Sequence, residues 1–323
     1  MPLRVGILSV AHMHVWGYAG GLKRHPDVEL VGAWDENADR LAKFSEACGV
    51  APVASMDQLL SEVDAAVICS ENTKHAALAV RAAEKGIDIL CEKPLVTNEA
   101  DAQTMLAIAE RVKVMTAFPC RYSPAFTRLQ ERVKAGDIGP IKAVCATNRG
   151  RCPFDWFVDK PFSGGGAMID HTVHVTDLLR ALLGAEPVRV QAQTGNNMYG
   201  KDWEDTAMLT IEFGNGVFAT LDSSWSRPQS YKTWGDVTMN VVGEQGVIEL
   251  NMFGQEIDRY TDGKVTHTLA GYGSDIDSGL VEDFVHACLE GRQPPITAFD
   301  GVQAARVAMA GYASAASGQP VTV

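Results

Sequence analysis

Two short stretches of this chain hold residue types that could move a proton and steady a developing negative charge. The first is Ile87-Asp88-Ile89-Leu90-Cys91-Glu92-Lys93-Pro94, an apolar run closed by an acid, a base and a proline. A strand ending here would set Glu92 and Lys93 at the carboxyl edge of a sheet, where open α/β sheets build their ligand crevice. Pro94 disfavours helical backbone at Lys93, so the ammonium is held on a stiff, extended turn. There it could stabilise an oxygen that gains or loses a proton. The second stretch is Gly164-Gly165-Gly166-Ala167-Met168-Ile169-Asp170-His171-Thr172-Val173-His174-Val175-Thr176-Asp177. On a helix Asp170 and His174 share one face, and Asp177 follows one turn later. A histidine with a carboxylate on the adjacent turn is oriented and gains proton affinity, as a general base requires. A polar stripe on an amphipathic helix has the same spacing. The glycine-rich entry and the crowding of two histidines with two acids favour chemistry.

These residues need a scaffold, and the hydrophobic pattern supplies one. Apolar runs at 3–10, 28–34, 65–69, 87–91 and 112–118 read as strands, and 15–24, 37–48, 73–85 and 98–111 as helices between them. Near-continuous apolar strands alternating with helices imply a parallel sheet covered on both faces, a doubly wound Rossmann-like α/β nucleotide-binding domain over 1–120. Beyond a junction at 118–122 the pattern changes. A helix at 123–135 and a strand at 141–148 precede the glycine run and a long helix at 166–183. Strands at 188–194, 206–213, 217–224, 236–242 and 246–251 follow, with Gly214-Asn215-Gly216 marking a hairpin. Helices at 279–290 and 300–317 close the chain. The region 121–323 is therefore expected to be an α+β domain with a mostly antiparallel, open sheet.

Taken together, Glu92-Lys93-Pro94, the glycine run with Asp170-x-x-x-His174, Asn72-Thr73-Lys74-His75 and Phe118-Pro119-Cys120-Arg121-Tyr122-Ser123-Pro124 resemble the glucose-fructose oxidoreductase / inositol dehydrogenase / rhizopine catabolism family. The resemblance spans nearly the whole chain in order. It implies NAD(P)-dependent oxidation of a hydroxyl on a sugar or cyclic polyol, and a homodimer or homotetramer formed through the C-terminal sheet. By the same carry-over Lys93 would bond the reacting oxygen, His174 would act as acid/base, and Asp170 would position substrate and histidine. Cofactor contacts are expected from Ser9, Ala11, His12, Asp35, Ser70, Asn72, His75, Glu92, Lys93 and Arg121. Substrate contacts are expected from Lys93, Arg121, Trp156, Asp170, His171 and His174.

The sequence departs from the glycine-rich dinucleotide fingerprint. In Gly6-Ile7-Leu8-Ser9-Val10-Ala11-His12-Met13-His14, Ser9 and Ala11 stand where the first two glycines belong. Both are small, so a phosphate site at the helix start could survive. His12 and His14 could be half of a metal site, completed by His171 and His174. Lys93 already supplies an electrophile, however, so no metal is expected, and both imidazoles are placed beside the cofactor's pyrophosphate or nicotinamide end. Asp35 ends the second strand, where an acid accepts ribose hydroxyls and repels a 2′-phosphate, favouring NAD with NADP possible. Arg40 reads as a solvated helix face. Arg121, Arg149 and Arg151 could meet an anionic substrate or pair with acids.

Bulk properties limit the alternatives. With 323 residues the chain suits two domains, and a net charge of −12 disfavours nucleic acid and anionic membrane as partners. No run approaches the ~20 apolar residues of a membrane span. The start shows no signal-peptide pattern, and seven scattered cysteines read as reduced thiols in a cytoplasmic protein. Two other readings keep the fold: a non-redox enzyme that recycles tightly bound NAD, and a cofactor-bound regulatory or binding protein.

Overall fold

The computed structural model describes residues 1–262, 266–271 and 273–323. Its first sheet is parallel, with strands β1 (Leu3–Leu8), β2 (Val28–Trp34), β3 (Ala65–Ile68), β4 (Asp88–Cys91) and β5 (Val114–Thr116) in the order β2-β1-β3-β4-β5. Val5, Ile7, Val67 and Leu90 have no exposed surface, as strands covered on both faces require. The crossovers are α1 (Val15–Arg24), α2 (Ala38–Cys48), α3 (Met56–Glu62), α4 (His75–Ala83) and α5 (Glu99–Ala109). Helix α3 was not legible in the pattern. It is short and starts on the Ser55 side chain, which accepts from Gln58 N.

The second sheet has seven strands: β6 (Ile141–Arg149), β7 (Pro187–Gly195), β8 (Thr206–Phe213), β9 (Phe218–Ser224), β10 (Thr238–Gly243), β11 (Val247–Asn251) and, at the chain end, β14 (Val321–Thr322). Only the β6–β9 pair is parallel; the others are antiparallel. Strands β12 (Glu256–Thr261) and β13 (Thr266–Gly271) form a separate ribbon. One face of the large sheet is covered by α6 (Pro124–Lys134), α8 (Ala167–Leu183) and α10 (Ala298–Ser317). The other is open, and along β8 burial alternates with exposure. A one-turn helix, α7 (Lys160–Ser163), leads into the glycine run.

Helix α8 carries Asp170 and His174 through the middle of the molecule, and its residues from Ala167 to Arg180 are all buried. Its entry leaves no room for side chains. A Cβ added to Gly165 would stand 2.0 Å from the Tyr312 hydroxyl, and one on Gly166 would stand 2.2 Å from the Glu204 carbonyl oxygen.

The last helices return to the first sheet. Leu280, Val281, Phe284 and Val285 of α9 (Ile276–Leu289) share a core with Tyr18 and Leu22 of α1 and with Val5 and Ile7 of β1. Ile296 receives the Thr116 amide at the edge of β5. Among the described residues no helix is long and apolar enough to cross a membrane.

Candidate active site

A cleft of about 310 Å³ opens where the carboxyl edge of the first sheet meets α8 and the end of β6. Four histidines line it, His12, His14, His171 and His174, together with Lys93 and Asp170. Strand β4 delivers Lys93, which is only 4% exposed, and its Nζ donates to Asp170 Oδ1 at 2.8 Å. The second oxygen of Asp170 accepts from Trp225 Nε1 at 3.0 Å and lies 3.2 Å from His171 Nε2. Burial works against ionisation of Asp170, but Lys93 and His171 outweigh it and hold the acid well below the usual carboxylate range. His171 Nδ1 donates to the Asn148 carbonyl at 2.9 Å, tying the pair to β6.

His174 differs from its sequence reading. Burial first, and then the Lys93 ammonium, depress its pKa well below 6.5, so its proton affinity is lowered, not raised. Among the described residues no carboxylate bonds it, and Nδ1 faces Cys120 Sγ at 3.9 Å. Asp177, the expected partner one turn on, is taken by Arg121, whose Nε and Nη2 donate to it at 2.7 and 2.5 Å. Arg121 also lies 3.4 Å from Asp300, so its guanidinium is paired with acids, and it is absent from the cleft lining. A neutral imidazole beside a lysine can still accept a proton from a hydroxyl.

The first loop compensates for its missing glycines. Ser9 sits at φ 65°, in the left-handed region glycine reaches without strain. Its hydroxyl donates to Asp35 Oδ2 at 2.9 Å, and Val10 N donates to the same oxygen at 2.7 Å. Asp35 Oδ1 accepts from Asn37 N and Arg40 Nη2 at 2.7 and 2.8 Å. Both oxygens of Asp35 therefore brace the loop, whereas the sequence suggested free acceptors for a ribose. Arg40, read as a solvated face, spans Asp35 and Glu71 instead. Ala11 accepts the Trp156 indole N–H at 3.3 Å, and Trp156 stacks on Phe157 at 3.8 Å between centroids. Phe157 lines the cleft, where Trp156 was expected.

Four expected cofactor contacts, His75, Ser70, Glu92 and Asn72, are buried and hydrogen-bonded within the protein. His75 has no exposed surface and its Nδ1 donates to the Pro94 carbonyl at 2.9 Å, pinning the turn after Lys93. Ser70 is equally buried and donates to its neighbour's carbonyl. Glu92 is 1% exposed, with Tyr18, His14 and the Lys93 amide as its donors. Asn72 Nδ2 donates to the Ser163 carbonyl at 2.9 Å, joining the β3 turn to α7, while its Oδ1 is buried without a partner.

His12, His14 and Glu92 offer ligand atoms within 4.8 Å of one another. His12 Nδ1 accepts the His14 amide at 3.2 Å and His14 Nδ1 faces Glu92 Oε1 at 2.9 Å, while His12 Nε2 is buried without a hydrogen-bond partner 3.9 Å from Glu92 Oε2.

Trp225, Tyr18 and Asp277 were missed by the sequence reading. Trp225 and Asp277 reach the site from distant segments and have no local signal. Tyr18 stood four residues after His14 on a predicted helix, a spacing that places both on one face.

Two family descriptions match the chain. Residues 6–118 match an oxidoreductase family with an NAD-binding Rossmann fold, and residues 126–249 match a GFO/IDH/MocA C-terminal domain. Among curated relatives, myo-inositol 2-dehydrogenase of Thermotoga maritima is 29% identical over 76% of this chain and 74% of its own. Inositol 2-dehydrogenase of Rhizobium meliloti is 26% identical over the full length of both. Among solved structures, GenD2 from gentamicin A biosynthesis in complex with NAD superposes with a TM-score of 0.89 at 27% identity, over 100% of this chain and 96% of that one.

Proposed function

Given that the chain belongs to the GFO/IDH/MocA family of NAD-binding oxidoreductases, we propose that it oxidises a hydroxyl of a sugar, inositol or related cyclic polyol. The observation that carries this reading is the convergence of Lys93, Asp170 and a neutral His174 on one cleft at the carboxyl edge of the nucleotide-binding sheet. A binding module has no need of that set, and net reduction of NAD separates a dehydrogenase from a non-redox enzyme that recycles the bound cofactor.

The first loop fits a dinucleotide. Ser9 takes the left-handed turn, and the His14 side chain makes no cap at the start of α1, whose positive helix end suits a pyrophosphate. NAD, when bound, supplies the hydride acceptor. His174 takes the hydroxyl proton of the substrate. Lys93 Nζ stabilises the oxygen as negative charge develops. Asp170 holds Lys93 in place and faces the substrate hydroxyls. The open face of the second sheet, where Met208 and Phe218 stand half exposed, is the surface through which we place subunit assembly. The seven free cysteines suit a reducing, cytoplasmic setting.

The test is a screen of sugars and inositols with NAD, reading the near-ultraviolet absorbance of reduced nicotinamide. Steady reduction by at least one cyclic polyol is the expected result. If no alcohol in a broad panel is oxidised, the dehydrogenase reading fails. For the cofactor, wild-type protein should bind NAD more tightly than NADP in calorimetry, because Asp35 stays ionised at the strand end and the Arg40 that could meet a 2′-phosphate is held between Asp35 and Glu71. Asp35→Ser should narrow that gap. Tighter binding of NADP by the wild type would refute the role given to Asp35.

A further inference from the structure

The cleft contains a second histidine equipped for proton transfer, and the oxidation described above leaves it without a role. His14 begins α1 and directs Nδ1 at Glu92 Oε1, 2.9 Å away. Glu92 is fully enclosed, with the Tyr18 hydroxyl on the same oxygen and the Lys93 amide on the other at 2.7 Å. Despite burial, the neighbouring histidines and Lys93 keep it ionised, well below the usual carboxylate range. An ionised carboxylate only accepts, so Nδ1 carries the proton and the neutral ring presents an Nε2 lone pair. The side chain is 31% exposed and lines the cleft, so that edge meets both ligand and water.

Of the other cleft histidines, His171 also meets a carboxylate, but both its nitrogens are engaged, by Asp170 and the Asn148 carbonyl, and the remaining two lack this equipment. Among the described residues His174 has no carboxylate on either nitrogen, and burial pushes His12 down to about 3 while its Nδ1 accepts a backbone amide. A proton collected by His174 therefore needs a group to receive it.

We infer that His14, oriented by Glu92 and Tyr18, is a second acid/base group of this cleft, which takes the proton that alcohol oxidation releases onto His174 and delivers it to solvent. The inference rests on the dehydrogenase reading. The carbinol hydrogen leaves with its electron pair to the nicotinamide carbon. The hydroxyl proton passes to His174, then across the cleft through a water or substrate hydroxyl to His14 Nε2, and the Nε2 proton then leaves to bulk water. One proton and one hydride are lost for each carbonyl formed. The groups facing His14 set the direction of transfer. Burial opposes its charged form and so does Lys93, but Glu92 and then Asp277 of α9 favour it, raising its pKa above the ordinary histidine value. Tyr18 of α1, His12 of the loop and His174 of α8 complete its surroundings. Transfer from the depressed His174 to the raised His14 is downhill.

Side-chain nitrogen NMR of the NAD-bound protein tests the assignment without knowledge of the substrate. His14 should show the Nδ1–H tautomer and titrate above the ordinary histidine midpoint, and Glu92→Gln should lower that midpoint by about one unit. An Nε2–H tautomer, or a midpoint indifferent to Glu92→Gln, overturns the inference. Kinetics with myo-inositol provide the second arm. His14→Asn keeps a favoured helix cap, and should lower kcat ~10²-fold near neutrality, abolish the acid limb of the pH profile and be rescued by added imidazole. A variant profile identical to wild type also overturns it. If the alcohol screen finds no substrate, the dehydrogenase reading falls while the tautomer and titration still decide the state of His14.

Discussion

Lys93→Ala is expected to lose about 10²–10⁴-fold in kcat while retaining NAD binding, because it removes the cation on the reacting oxygen and leaves the proton acceptor intact. The same change leaves Asp170 buried with one partner fewer. The Lys93–Asp170 bond is 2.8 Å long and both residues are less than a tenth exposed, so a carboxylate without its lysine remains inside the protein, with only Trp225 and His171 on its other oxygen. Breaking a buried pair from one side costs about 3–5 kcal/mol, which denaturant titration would register. Lys93→Met/Asp170→Asn should recover most of that stability and none of the turnover, separating the electrostatic role from the structural one. Wild-type kcat in Lys93→Ala would remove this lysine from the mechanism.

The second large effect lies at a residue with no side chain. Gly166→Ala puts a methyl group 2.2 Å from the Glu204 carbonyl oxygen and 2.9 Å from its carboxylate. Backbone cannot yield as a flexible side chain does, so the entry to α8 must shift. Overpacking of this kind costs about 1–3 kcal/mol and sometimes more. Asp170 lies one turn on, its amide bonded to the Gly166 carbonyl at 3.3 Å, so activity should fall with stability. Gly20→Ala on α1 is the control. Its new methyl would meet only the mobile end of Arg24, and alanine is the better helix former by about 1 kcal/mol. Loss of stability and activity in Gly20→Ala, but not in Gly166→Ala, would contradict the steric account.

The alternation of apolar runs with helical segments was enough to read the parallel sheet, because a strand buried on both faces leaves few other patterns. The hairpin at Gly214–Gly216 was equally local: Gly216 takes φ 86° and Phe213 N bonds Val217 O at 2.9 Å. What spacing could not give was the partner across a gap. Asp177 is near His174 in sequence, yet Arg121 claims it from another element. Trp225, on Asp170, comes from the end of β9. Asp35 was correctly placed at a strand end, but a carboxylate there serves whichever donors arrive, and Ser9, Val10, Asn37 and Arg40 are already in place. Sequence periodicity fixes which residues share a face, whereas occupancy of a polar atom is settled by tertiary packing.

The return of α9 to the first sheet has a consequence for synthesis on the ribosome. Tyr18 and Leu22 have no exposed surface in the finished protein, and the residues that complete their core, Leu280, Val281 and Phe284, are made far later, after all the central strands of the second sheet. The amino-terminal half therefore emerges with an apolar flank it cannot cover by itself. Domains made first usually fold first, and transiently bare apolar surface invites aggregation and chaperone binding. In this chain the nucleotide-binding half must wait, partly open along α1, until α9 has been made.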